Sequence, residues 1–209
     1  GLTSALPAAK NSRCTRDLVA FLAFTSRAQN REFSGADQND LDVGASNGLM
    51  YAGYNDGGSS VTGAVSGNAV RIDNTGQDIR KLLSTAPASG SAIYVSFLLN
   101  VTNATSGYFF ALTTNSSSTF ASRVFVRPST IDAATKFNIG LSNTSTGTFG
   151  TTELDLGATY LVIVKYENST TGSVSLWVKS TGVPATEVAA GTPEVSASGS
   201  GQAAITYAA

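Results

Sequence analysis

The carboxylates of Glu153 and Asp155 are the pair in this sequence best spaced for catalysis. They lie in the run Glu153-Leu154-Asp155-Leu156-Gly157. Alternate side chains of a β-strand share a face, so both acids would project to one side. Retaining glycoside hydrolysis needs two carboxyl groups about 5 Å apart, one attacking the anomeric carbon and the other protonating the leaving oxygen. Enzymes that build this site along one strand use an acid-x-acid-x-acid run, and Gly157 stands where the third acid belongs. The same run reads as a polar strand edge entering the turn before Thr159. No catalytic residue is assigned from it.

Other oxygen-rich and aromatic positions are weaker pointers. Asp73-Asn74-Thr75-Gly76-Gln77-Asp78 gathers the ligand types calcium takes, but its spacing is not that of an EF-hand loop. Asp and Asn are also ordinary turn residues. Asp37, Asp40 and Asp42 form a second acidic group of the same kind. Neither is assigned a metal, and no cofactor is expected. Tyr51, Tyr54, Tyr108 and Trp177 are flat rings of the sort that pack on the CH face of a sugar. Trp177 lies between Leu176 and Val178, which reads as core or sheet face before it reads as a ligand platform. Ligand-binding residues therefore stay unassigned. Cys14, between Arg13 and Arg16, is read as a free thiol with no partner in its own chain. Gly57-Gly58 and Gly199-Ser200-Gly201 lack the Lys-Ser/Thr that completes a phosphate loop.

Composition removes whole classes of chemistry. The 209 residues include no His and one Cys. That excludes a Ser-His-Asp triad, an imidazole metal site and an intrachain disulfide. Ser and Thr number 52 and Gly 21, against 27 charged residues, a balance typical of extracellular proteins. Net charge is −1, which argues against nucleic acid as the main partner. The charge is uneven, because residues 1–31 hold five basic side chains against Asp17 alone. A solvated or docked tail explains this arm; a capsid-type jelly roll with an RNA-binding arm is the rarer reading. Acceptor triplets for N-glycosylation occur at Asn100, Asn103, Asn115, Asn143 and Asn168, as expected by chance in so Ser/Thr-rich a chain. No apolar run approaches a membrane span; the longest, Leu18–Phe24, reads as a buried strand or helical turn.

The elements that must position these groups are strands. Ala92–Val101, Gly107–Leu112, Ser122–Arg127, Lys136–Ser142, Thr159–Tyr166 and Ser173–Val178 are β-branched and aromatic or alternate with period two. In Ser122–Arg127 the charges are expected outward and the apolar side chains inward. Thr159–Tyr166 is expected to be central and covered on both faces. Asp78–Leu83 admits one helical turn, Gly182–Gln202 reads as a long loop, and Ala203–Tyr207 as a short last strand. Strands at this spacing imply an all-β chain forming an antiparallel two-sheet β-sandwich.

Several stretches, in order, resemble one known module. They are Gly48-Leu-Met-Tyr51-Ala-Gly-Tyr54, Gly67-Asn-Ala-Val-Arg71, Gly76-Gln-Asp78, Ile93–Val101, Gly107-Tyr-Phe-Phe110, Phe120–Arg127, Phe137–Ser142, Gly157–Tyr166, Val174–Val178 and Gly182–Glu187. Over about residues 47–190 the chain resembles the laminin-G-like, concanavalin A-like jelly-roll modules of secreted Bacteroidota-type proteins. The resemblance implies a jelly roll, a secreted or cell-surface setting and no shared catalytic residues. It divides the chain into residues 1–46, an atypical arm or set of first strands, and 47–209, a sandwich that lacks a last strand such modules carry. A sheet short of a strand has an edge to fill, from residues 1–46 or from a neighbouring copy.

The expected function is therefore a non-catalytic module that binds an extracellular glycan or other polymer. The main alternative is a structural subunit whose partners are copies of itself, joined by strand complementation into a fibre or sheath. A glycoside hydrolase using Glu153 is the third reading.

Overall fold

The computed structural model describes residues 19–24, 49–51, 65–66, 70–72, 81–82, 88–114, 119–199, 201 and 205–208. In chain order the strands are Val19–Phe24 (β1), Leu49–Met50 (β2), Val65–Ser66 (β3), Val70–Ile72 (β4), Lys81–Leu82 (β5), Ala92–Asn103 (β6), Gly107–Thr113 (β7), Phe120–Pro128 (β8), Lys136–Ser142 (β9), Thr148–Phe149 (β10), Leu154–Asp155 (β11), Thr159–Glu167 (β12) and Val174–Lys179 (β13). A four-residue helix, Glu187–Ala190 (α1), precedes Val195–Ala197 (β14) and Tyr207–Ala208 (β15).

Two antiparallel sheets form a β-sandwich. One has six strands in the order β14-β13-β12-β6-β1-β4. The other has seven: β10-β9-β8-β7-β15-β5, with β11 also paired to β9. β2 and β3 form a separate hairpin. The N-terminal strand β1 lies between β6 and β4, and the late strand β15 lies between β7 and β5.

Period-two alternation builds the core. Phe97, Leu99 and Val101 of β6 and Val162 and Val164 of β12 face Phe110 and Leu112 of β7, Val124 and Val126 of β8, and Phe137, Ile139 and Leu141 of β9. The Phe97 and Phe110 rings meet at 4.9 Å and those of Phe137 and Tyr160 at 6.2 Å. The ladder between β7 and β8 shifts register between Tyr108 and Phe110. This bulge lets the consecutive Phe109 and Phe110 both join the core, which strict alternation forbids.

The other side of the six-stranded sheet is also covered. Leu98, Leu161 and Ile163 gather there with Leu49 and Tyr51. β12 is thus apolar on both faces, as its sequence implies.

Residues 182–199 are more ordered than their composition suggests. They contain α1, capped by the Thr186 hydroxyl accepting from Ala189 N at 3.1 Å, and β14, which pairs with β13. Both runs are too short to show a period. Lys81 and Leu82, read as part of a helical turn, are instead strand β5; the rest of that run lies outside the described residues.

Candidate functional site

The outward side of the seven-stranded sheet carries a row of rings across four strands. Tyr108, Phe125, Gly140 and Phe149 stand opposite one another on β7, β8, β9 and β10. Opposed residues share a face. Val124 and Val126 point into the core, so Phe125 and its row point away from it. The rings meet edge-on, Tyr108 to Phe125 at 5.9 Å and Phe125 to Phe149 at 6.2 Å, and Phe120 extends the row 5.7 Å from Tyr108. Gly140 allows this closure. A Cβ there would lie 2.7 Å from Phe149 Cδ1 and 2.9 Å from the Thr148 carbonyl oxygen.

Two arginines of β8 lie on the rings. Arg123 Cζ is 4.1 Å from the Phe120 centroid and 5.2 Å from that of Tyr108; Arg127 Cζ is 4.3 Å from Phe149. Each cation is attracted to the negative ring face. Desolvation pushes the pKa of Arg123 down. The Nε atoms of both arginines are buried and have no hydrogen-bond partner.

Asn138 stands opposite Arg127 on β9 and is 2% exposed. Its amide nitrogen donates to Glu153 Oε1 at 2.8 Å and to the Thr152 carbonyl at 3.1 Å. Its carbonyl oxygen, Oδ1, is buried without a partner. The face therefore combines four rings, two unpaired N–H donors and two unpaired acceptors, Asn138 Oδ1 and Glu153 Oε2. Such atoms are scarce in folded proteins and cost about 1–3 kcal/mol each, so their gathering on one face marks it.

The two acids chosen from sequence reach this face at its β11 end. Leu154 between them is buried, so the alternation holds. The Ser129 hydroxyl, then the Asn138 amide, hold Glu153 below the usual carboxylate range, with the Lys136 and Arg127 charges adding to the effect. Asp155 forms an ion pair with Lys136, its registered neighbour on β9.

Of the rings chosen from sequence, Tyr108 belongs to the row. Trp177 is buried on the other sheet, its indole N–H donating to the Gly191 carbonyl at 2.7 Å. Tyr51 is also buried there, and its hydroxyl, with a pKa pushed up to about 12 by burial, donates to the Gly182 carbonyl at 2.8 Å. Tyr54, Cys14, Asp37, Asp40, Asp42, Asp73 and Asp78 lie outside the described residues. No group of three or more metal-binding side chains occurs among the described residues. Among the glycosylation triplets, Asn143 and Asn168 are buried, with amides donating to the carbonyls of Gly172 and Ala88, whereas Asn103 is exposed.

Sequence reasoning did not single out Arg123, Phe125, Arg127, Asn138 or Phe149. The signal was present in Arg123-Val-Phe-Val-Arg127, where period two puts Phe125 on the side of the arginines. The expectation of charges outward and apolar residues inward is corrected on that point: the valines turn inward and the phenylalanine does not.

No protein-family model matches the chain, and no curated protein matches it significantly. Among solved structures, it is similar to a native heptameric SAP-like pentraxin from Limulus polyphemus, at 18% identity and a TM-score of 0.40. The match covers 62% of this chain and 54% of the pentraxin chain, so the chain spans about half the length of that protein. No helix among the described residues is long and apolar enough to cross a membrane.

Proposed function

We propose that this chain is a secreted, non-catalytic β-sandwich module that binds glycan through the aromatic and arginine face of its seven-stranded sheet. One observation carries the reading: unpaired donors and unpaired acceptors lie beside a continuous row of rings. Rings pack on the CH faces of sugars, and hydroxyl groups both donate and accept. A guanidinium can slide over its ring and present Nε to a hydroxyl while keeping its stack. The laminin-G-like kinship is part of this proposal, supported by the order and spacing of the sequence words over residues 47–190.

Catalysis is not part of it. Hydrogen bonds and nearby cations hold Glu153 below the usual carboxylate range, which works against its use as the general acid of a glycosidase. Self-assembly by strand exchange calls for a long open edge. Among the described residues, the edge strands of the two sheets, β14, β4, β10 and β5, are two or three residues long, and β1 is paired on both sides within its own chain.

Titration calorimetry with a panel of neutral and acidic polysaccharides tests the reading. Binding is expected for at least one, weakened about tenfold or more in Arg127→Ala and Phe149→Ala. Absence of binding across the panel, or unchanged affinity in both variants, overturns it.

A further inference from the structure

The opposite sheet carries a second feature that the glycan reading leaves unused. Residues 182–191 arch over the outer face of β6, β12 and β13. Beneath the arch is a cleft of about 350 Å³, floored by Trp177, Leu161 and Ile163 and walled by Tyr94, Pro184 and Glu187. The arch turns at Gly182 and Gly191, whose φ values are 72° and 74°. It is pinned at both ends, by Tyr51 and Trp177 donating to the Gly182 and Gly191 carbonyls and by Lys179 donating to that of Ala190. Its middle is latched: the Glu187 carboxylate accepts from Tyr94 Oη at 2.6 Å and from Lys165 Nζ at 3.0 Å. The cleft is preformed, so filling it costs little ordering.

Two observations say what would fill it. Four large apolar side chains are strongly exposed among the described residues, and three are at this place: Tyr94 at 51%, Val183 at 54%, and Val188 at 91% beside the lining Glu187. Exposed apolar groups clustered around an apolar cleft mark a protein-binding surface. The second is charge. Lys165 Nζ is shared by Glu187 and by Glu167, 2.9 Å away, and both carboxylates are about half exposed. The end of the rim at Lys165 therefore carries an excess negative charge, while the cation of Lys179 lies at the other end, on the Ala190 carbonyl.

We infer that the cleft under the 182–191 arch docks a polypeptide partner, which inserts one bulky apolar side chain and sets a lysine or arginine against Glu167 and Glu187. The side chain rests on Tyr94 and Ile163, and Val183 and Val188 contact its flanking backbone. This surface is on the other sheet from the glycan face and does not depend on it.

Selection of random short peptides displayed on phage, against the full chain, tests this. The enriched peptides are expected to share a Leu, Ile, Met, Phe or Trp within about three positions of a Lys or Arg. Replacing that apolar anchor by Ala should weaken binding about ten- to hundredfold. The chain variant Val183→Ser/Val188→Ser should bind them at least fivefold more weakly. It removes only exposed groups and should keep the parent melting temperature. Glu167→Gln should flatten the salt dependence of binding. Polysaccharide binding should be unchanged in these variants, and peptide binding unchanged in Phe149→Ala, so the two surfaces stand or fall separately. Failure to enrich any peptide, enrichment of peptides without the paired anchor and cation, or equal binding by the serine variant overturns the inference.

Discussion

Substituting Gly140 by Ala tests the logic of the aromatic row most directly. The new Cβ would sit 2.7 and 2.9 Å from two carbons of the Phe149 ring and 2.9 Å from the Thr148 carbonyl oxygen. The ring can rotate away; the carbonyl belongs to the paired strand and cannot do so cheaply. Displacing the ring gives up its edge contact with Phe125, about 0.5–1.5 kcal/mol, and the Arg127 stack, about 0.5–1 kcal/mol. Crowding the backbone adds about 1–3 kcal/mol. The reduced freedom of Ala in the unfolded chain returns about 0.4–1 kcal/mol. The net loss is about 1–5 kcal/mol, or a fall in Tm of about 2–20 °C for a chain of this size. Urea unfolding of Gly140→Ala, Phe149→Ala and the double variant measures the coupling. With the ring gone, Gly140→Ala should cost at least about 1 kcal/mol less. Gly157→Ala is the control: its φ of 77° makes it strained, but its Cβ would meet nothing within 4 Å, so it should leave the ring contacts and glycan binding intact. Additive losses for Gly140 and Phe149 would refute the assignment of Gly140 as the seat of the ring.

Four further outcomes follow from the same structure. Tyr51→Phe removes the hydroxyl that holds the Gly182 carbonyl and should cost about 1 kcal/mol in chemical denaturation. Phe97→Ala empties the centre of the inter-sheet core and should cost about 3–5 kcal/mol by the same measurement. The Tyr94 hydroxyl and then Lys165 lower the Glu187 pKa from its ordinary 4.5, so the latch stabilises the fold fully above that pH and fails as pH falls through the depressed folded value. Fluorescence of Trp177, the one tryptophan of the chain, should report this opening, and Glu187→Gln should abolish the transition. Expressed in a glycosylating host, the protein should carry no sugar at Asn143 or Asn168 by mass spectrometry, because both amides are buried and hydrogen-bonded.

The strands that pair along their whole length were legible in the sequence. Lys136–Ser142 is found as expected, and the spans beginning at Ala92, Gly107 and Thr159 are extended at their C-terminal ends by one or two residues. There, β-branched and aromatic residues alternate for six residues or more, and in β6 and β9 the core-facing side chains follow the alternation. β10, β14 and β5 were not legible, because two or three residues carry no period; β10 is held by β9 and β14 by β13, while β5 pairs with the equally short β15. The site was half legible. Tyr108 and the acid pair Glu153 and Asp155 stood out by type, but their neighbours did not. Phe125 looked like core because most strand phenylalanines are, and Phe149 sits in a Ser/Thr/Gly-rich stretch without pattern. Register across β7, β8, β9 and β10 assembles these residues, and register is a property of pairing between distant segments. Asn138 looked like any polar residue on an outward face until its two amide bonds and its unpaired oxygen were seen.

The placement of β1 and β15 inside the sheets bears on how the molecule is made. On the ribosome, Val19–Phe24 emerges long before β6, the strand it must lie against, and remains an uncovered apolar segment until Ala92–Asn103 has been synthesised. The slot between β7 and β5 stays empty until residues 207 and 208 leave the exit tunnel. Neither sheet can therefore be completed domain-fashion from its first half, and closure becomes a late, non-local and slow event. In the cell this is a window in which chaperones or proteases compete with folding. In the test tube, fusing a bulky partner directly at either strand would slow refolding more than it would lower equilibrium stability.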